Sequence, residues 1–251
     1  MGEEMGELRE RISAAMTGGA DMRWVLLKSF ALSLLCTLFT APYFHHLLLL
    51  PPVQRALAVG LVHHRYLYMQ LFLLFIICLL SAIVGFSFSR KLELPGLGDI
   101  ARLKDSISFL LLLGAAMTAL SYFLFDRYFY EISGASYPKD ALYLFSYPLK
   151  AAFTDEVILR LCFVTLGVGI FRNKAVGVVL VSVVASIFTI KYFQFMGVGF
   201  SFNYLCITQL LLSFSANLIL GYLFVTKGLL YSMALHFLFG MKYAFLSWAM
   251  G

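Results

Sequence analysis

The stretch "FTDEVILRLCF", residues 153–163, sets two carboxylates, Asp155 and Glu156, and one guanidinium, Arg160, among apolar neighbours. A charge at the centre of a bilayer costs about 2.5–3.5 kcal/mol on insertion scales. Three such groups together therefore mark either an ion pair that locks helices or a site. Glu156 and Arg160 are four residues apart, share a helix face and can pair. Asp155 points about 100° away, toward another neighbour or a water-filled cavity. The chemistry open to this set is proton transfer, because a carboxylate taken out of water becomes a better general base near neutral pH.

Few other groups are placed to assist. His236 lies in "SMALHFLFGMKY" and Lys191-Tyr192 in "SIFTIKYF"; Lys150 precedes the acidic pair and Lys242 follows His236. A catalytic zinc keeps three protein ligands. Asp155, Glu156 and His236 have no metal-binding spacing, so neither a metal nor another cofactor is expected. The pairs His45-His46 and His63-His64 are not ready chelates, since adjacent helical residues diverge, and they read as interfacial. Cys36, Cys78, Cys162 and Cys206 are scattered singly and read as small buried residues.

The elements that carry these residues are membrane helices. The chain is 61% hydrophobic and 13% charged, against about 25% charged residues in soluble domains. A spanning helix needs about 20 apolar residues, and seven segments qualify: 24–42, ended by Pro42, then 66–88, 106–125, 141–171, 174–196, 202–226 and 229–249. The fold expected is an all-α, polytopic transmembrane bundle of about seven spans, integral to the cell membrane. An eighth crossing is left open at 43–65, where Pro51, Pro52 and Arg55 interrupt an apolar run; that segment otherwise reads as re-entrant or interfacial. Residues 1–22 are acidic and read as an N-terminal tail, with a short surface helix at 4–16, rather than as a signal peptide. Residues 23–251 form the membrane domain.

The net charge of +6 fits topology and lipid headgroups rather than nucleic acid. Basic residues collect at Arg9, Arg11 and Arg23, at Arg90, Lys91, Arg102 and Lys104, at Arg172 and Lys174, and at Lys227. With seven spans all four regions fall on one side, which the positive-inside rule makes cytoplasmic.

Taken in order, the polar residues resemble the CPBP family of intramembrane proteases, which includes CAAX proteases and bacteriocin-processing enzymes and is also called Abi. Its pattern is E-E-x-x-x-R, then F-x-x-x-H, then H-x-x-x-N or H-x-x-x-D, on three helices. Here the elements read Asp155-Glu156-Val157-Ile158-Leu159-Arg160, Phe188-Thr189-Ile190-Lys191-Tyr192 and His236-Phe237-Leu238-Phe239-Gly240. The runs "SRKLELPGL" and "LGYLFVTKGLLYSMAL" also fit, and the resemblance covers about 66–245. It implies a glutamic intramembrane endopeptidase acting on a membrane-tethered peptide or protein, with Glu156, Asp155, His236, Arg160 and Tyr192 as site residues. It further implies that the first acidic position is the base and that the histidine and asparagine positions stabilise an oxyanion. Three positions depart from the pattern: Asp155 stands for Glu, Tyr192 for His, and Gly240 for Asn or Asp. Two rival classes follow from those departures. One is an inactive scaffold or chaperone that binds in the same cavity. The other is a small ion or proton transporter, which the lack of an internal repeat disfavours.

Overall fold

The computed structural model describes residues 2–49, 63–129, 140–195 and 204–250 of the chain. All regular structure among them is helical. Nine helices follow in order: α1 Gly2–Leu49, α2 His63–Ser89, α3 Ile100–Asp105, α4 Ile107–Phe129, α5 over 141–171, α6 Lys174–Phe195, α7 Tyr204–Lys227, α8 Leu229–Gly240 and α9 Lys242–Met250. Five stretches are long and apolar enough to cross a membrane: Met22–Leu48, Arg65–Ser89, Ile107–Phe129, Tyr204–Lys227 and Leu229–Trp248. With leucines and phenylalanines exposed along α1, α2 and α4, this is a multi-pass integral membrane protein.

Helix α5 is the axis of the bundle. It contacts α1, α2, α6, α7 and α8, and its buried residues Val157, Leu161, Val164 and Val168 centre the larger core cluster. Helix α1 runs antiparallel to it. Successive contacts pair Phe39 with Phe153, Thr40 with Thr154, Tyr43 with Tyr143 and Tyr147, and His46 with Asp140. Two stretches of α5 are π-helical, Ala151–Asp155 and Val157–Val164, as is Tyr122–Asp126 within α4.

One end of the bundle gathers the basic connections. The Lys174 ammonium donates to the Glu93 carbonyl at 3.3 Å. The backbone N–H groups of Leu229 and Leu230 donate to the carbonyls of Gly96 and Leu97 at 2.9 and 3.0 Å. Gly98 and Gly228, both at positive φ, bring the two backbones together so closely that a Cβ on either would strike the other strand of chain. The loop after α2 thereby satisfies two of the N–H groups that every helix leaves open in its first turn, here those of α8.

Two expectations are corrected. Pro42 does not end the first helix, which continues to Leu49. Proline is tolerated in membrane helices where neighbours and local adjustments re-satisfy the backbone, and Tyr43 beyond it is buried against Tyr143 and Tyr147. The third span does not end at 125 but reaches Phe129, which places Asp126, buried like Glu156, inside it. The last span is seen as Leu229–Trp248, with Met241 a single turn residue between α8 and α9. The remainder of the ambiguous segment, 50–62, lies outside the described residues.

Candidate active site

Glu156 is the middle residue of 141–171, about 22 Å from either end at the α-helical rise. Its side chain is 0% exposed and that of Arg160 1%. Two helices supply its contacts. Arg160 Nε, one turn along α5, lies 3.5 Å from Oε1, and His236 Nδ1 on α8 lies 2.7 Å from the same oxygen. An ionised carboxylate only accepts, so the Nδ1 of His236 carries the proton. The imidazole is 19% exposed and is thus the accessible face of an otherwise buried pair. Glu156 Oε2 and Arg160 Nη1 are both buried without a hydrogen-bond partner among the described residues. Most buried polar atoms have one.

Asp155 is held apart from this pair. Both its oxygens accept from the Lys150 ammonium, at 2.7 and 2.8 Å. On an α-helix residues five apart lie about 140° from each other, and the two could not meet. The π turn at Ala151–Asp155 closes its backbone bonds at a spacing of five and so sets Lys150 over Asp155. The same device recurs in α4, where Ser121 Oγ donates to Asp126 at 2.8 Å across the π turn Tyr122–Asp126. Lys242 joins that second pair from α9, 2.7 Å from Ser121 Oγ and 2.9 Å from Asp126 Oδ2, with the acid 2% and the lysine 8% exposed.

Of the residues singled out from the sequence, the structure brings together Glu156, Arg160 and His236. It pairs Lys150 with Asp155 and sends Lys242 to Asp126. The side chains of Lys191 and Tyr192 lie outside the described residues, although the backbone there is helical. Asn217 on α7 was not anticipated. Its Oδ1 accepts from Arg160 Nη2 at 2.6 Å and its Nδ2 donates to the Ser213 carbonyl at 2.8 Å. The available signal was an amide and a hydroxyl four residues apart in an apolar span, "SFSAN".

Gly240 has a physical cause. A Cβ there would sit 3.0 Å from both Cα and Cβ of Pro148, so α5 and α8 touch through backbone where the family pattern has Asn or Asp. Gly240→Asn is expected to lower thermal stability by the ~1–3 kcal/mol typical of overpacking, measurable by thermal unfolding in detergent.

Residues 137–241 match the family described as Rce1-like, type II CAAX prenyl endopeptidase. This part of the chain is similar to the Rce1-like family. Comparison with curated proteins and with solved structures gave no significant match. The Rce1-like segment spans α5 to α8 and contains every residue of the Glu156 cluster. It leaves out α1 to α4, which nonetheless touch it through Thr40, through Leu110 and Met117, and through the loop at 96–98. A cavity of about 650 Å³ at the basic end, lined by Asp99, Arg102, Lys227 and Tyr231 among others, includes none of the clustered residues. At family level the match supports a CAAX-type intramembrane endopeptidase.

Proposed function

We propose that the protein is an active intramembrane endopeptidase that hydrolyses a membrane-tethered peptide of the prenylated CAAX class, with Glu156 as its general base. The observation that carries this reading is the asymmetry of the Glu156 carboxylate. Oε1 is occupied by His236 and Arg160, while Oε2 is buried without a hydrogen-bond partner of good geometry among the described residues, with the Ser232 hydroxyl beside the carboxylate. Oε2 is then the atom that takes a proton from water as the water oxygen attacks the scissile carbonyl. The proton returns to the leaving amine, so the step consumes one water and yields an acid and an amine. His236, donating from Nδ1 and reachable from outside, fixes Oε1 and lines the approach of the peptide. The guanidinium balances the carboxylate before and after transfer.

Asp155 takes a different role from the one its position in the family pattern implies. Both its oxygens are engaged by the Lys150 ammonium, and its contacts among the described residues do not include His236. Its pairing with Lys150 closes the π turn that presents Glu156. The scaffold and transporter alternatives are supported by none of these contacts.

The test is hydrolysis of a farnesylated peptide ending in a C-a-a-X sequence by the full chain in lipid nanodiscs. Cleavage of the Cys–aliphatic bond is expected, with Asp155→Asn retaining activity within about tenfold, against the ~10²–10⁴ that loss of a general base costs. Collapse of activity in Asp155→Asn with Glu156→Gln unimpaired would reverse the assignment.

A further inference from the structure

The Arg160 guanidinium meets two acceptors, Glu156 on its own helix through Nε and Asn217 on α7 through Nη2, and the second contact is the shorter. Behind Asn217 the polar groups continue. Nδ2 is anchored to the Ser213 carbonyl at 2.8 Å and stands 3.4 Å from Ser213 Oγ, and that hydroxyl lies 3.0 Å from Thr189 Oγ1 on α6. Thr189 in turn donates to the Ala185 carbonyl at 3.2 Å. A chain of hydrogen bonds therefore runs from α6 through α7 to the base of α5. Its direction is fixed. Nδ2 is committed to Ser213, so Oδ1 is the atom aimed at Arg160, and the amide cannot rotate without losing both ends. The guanidinium is thereby oriented with Nε toward Glu156, and Nη1 has no partner among the described residues.

We propose that Asn217 is a positioning residue for the site, acting on Glu156 through Arg160, with Ser213 and Thr189 as its support. This rests on the reading of Glu156 as the base. Asn217 does not supply the side-chain donor missing at Gly240, because its amide hydrogens point back along α7. It sets how the guanidinium shares itself between two acceptors and hence how the Glu156 carboxylate is turned.

Two variants separate positioning from packing. Asn217→Leu removes the acceptor at similar volume. Asn217→Asp keeps the acceptor and adds a charge, so it folds with Arg160 still paired while pulling the guanidinium away from Glu156. For Asn217→Asp, kcat is expected to fall ~10–100-fold, the worth of a hydrogen bond to a charged group, with KM for the farnesylated peptide within about twofold. Ser213→Ala is expected to lower kcat less. A second readout needs no substrate: the infrared carboxylate band assigned to Glu156 by its loss in Glu156→Gln should shift in Asn217→Asp and in Asn217→Leu. An unchanged band and unchanged kcat in a folded Asn217→Asp would overturn the proposal. A shifted band in a protein that cleaves no tethered peptide would sustain the positioning contact and sink the endopeptidase reading instead. An unmoved band beside normal Glu156-dependent cleavage would do the reverse.

Discussion

Glu156→Gln is expected to lower hydrolysis of the tethered peptide by at least ~10²–10⁴, the usual worth of a general base, while the protein still inserts and folds. The geometry makes the substitution clean. A glutamine oxygen can accept from His236 Nδ1 and Arg160 Nε in place of Oε1, whereas the amide nitrogen at the Oε2 position cannot take a proton. What changes besides basicity is charge. A buried ion with its partner removed typically costs ~3–5 kcal/mol, and Arg160 is as buried as Glu156. Some of that cost is offset by Asn217, which still accepts from Nη2. A loss of stability is therefore expected alongside the loss of rate, and Glu156→Gln combined with Arg160→Gln should recover the stability without the rate. Thermal unfolding in detergent and cleavage in nanodiscs, measured on the same preparations, resolve the two effects. Full cleavage by a stable Glu156→Gln protein would remove Glu156 as the base.

The largest effect on stability alone is expected at the other buried ion pair. Lys242→Met leaves Asp126, 2% exposed, with only the Ser121 hydroxyl as a partner among the described residues, and should cost ~3–5 kcal/mol. Lys242 also lies 5.0 and 4.8 Å from the ring centres of Phe239 and Tyr243, contacts that methionine retains in part. The double variant Lys242→Met with Asp126→Leu should be close to wild type, since apolar replacement of a whole buried pair is often neutral or stabilising. A single Lys242→Met variant as stable as the parent would show that Asp126 accepts its partner from elsewhere. The pair ties the end of α4 to the helix after His236, so the single variant is expected to reduce activity through abundance more than through kcat.

How much of this could be read in advance depended on the kind of signal. Helix α5 appeared at 141–171 with its observed ends, and α6 and α7 were placed within two residues, because long apolar runs bounded by Arg172, Asn173 and Gly228 leave little choice. The meeting of Glu156 with Arg160 followed from a spacing of four. The partner of Asp155 did not, because Lys150 is five residues away and only a π turn, which no residue pattern announces, stacks that spacing. Asp126 was overlooked because the apolar run was cut one residue short of it. Pro42 misled because its usual effect, ending a helix, is weaker where other helices surround it. Asn217 carried no motif, and its role appears only when α7 is laid against α5. The close approach of Gly240 to Pro148 joins residues ninety-two positions apart, beyond the reach of any local pattern.

The backbone bonds from Leu229 and Leu230 to Gly96 and Leu97 bear on modularity. The helix that presents His236 begins on acceptors lent by a loop that lies outside the Rce1-like segment. A buried backbone N–H left unpaired costs ~1–3 kcal/mol, Leu229 is fully buried, and a side chain at Gly98 or Gly228 would force the two backbones apart. Residues 137–241 are therefore not a cassette. Moved into another helical host on their own, they would carry the histidine on a frayed first turn, and a working graft has to bring the loop after α2 along with them.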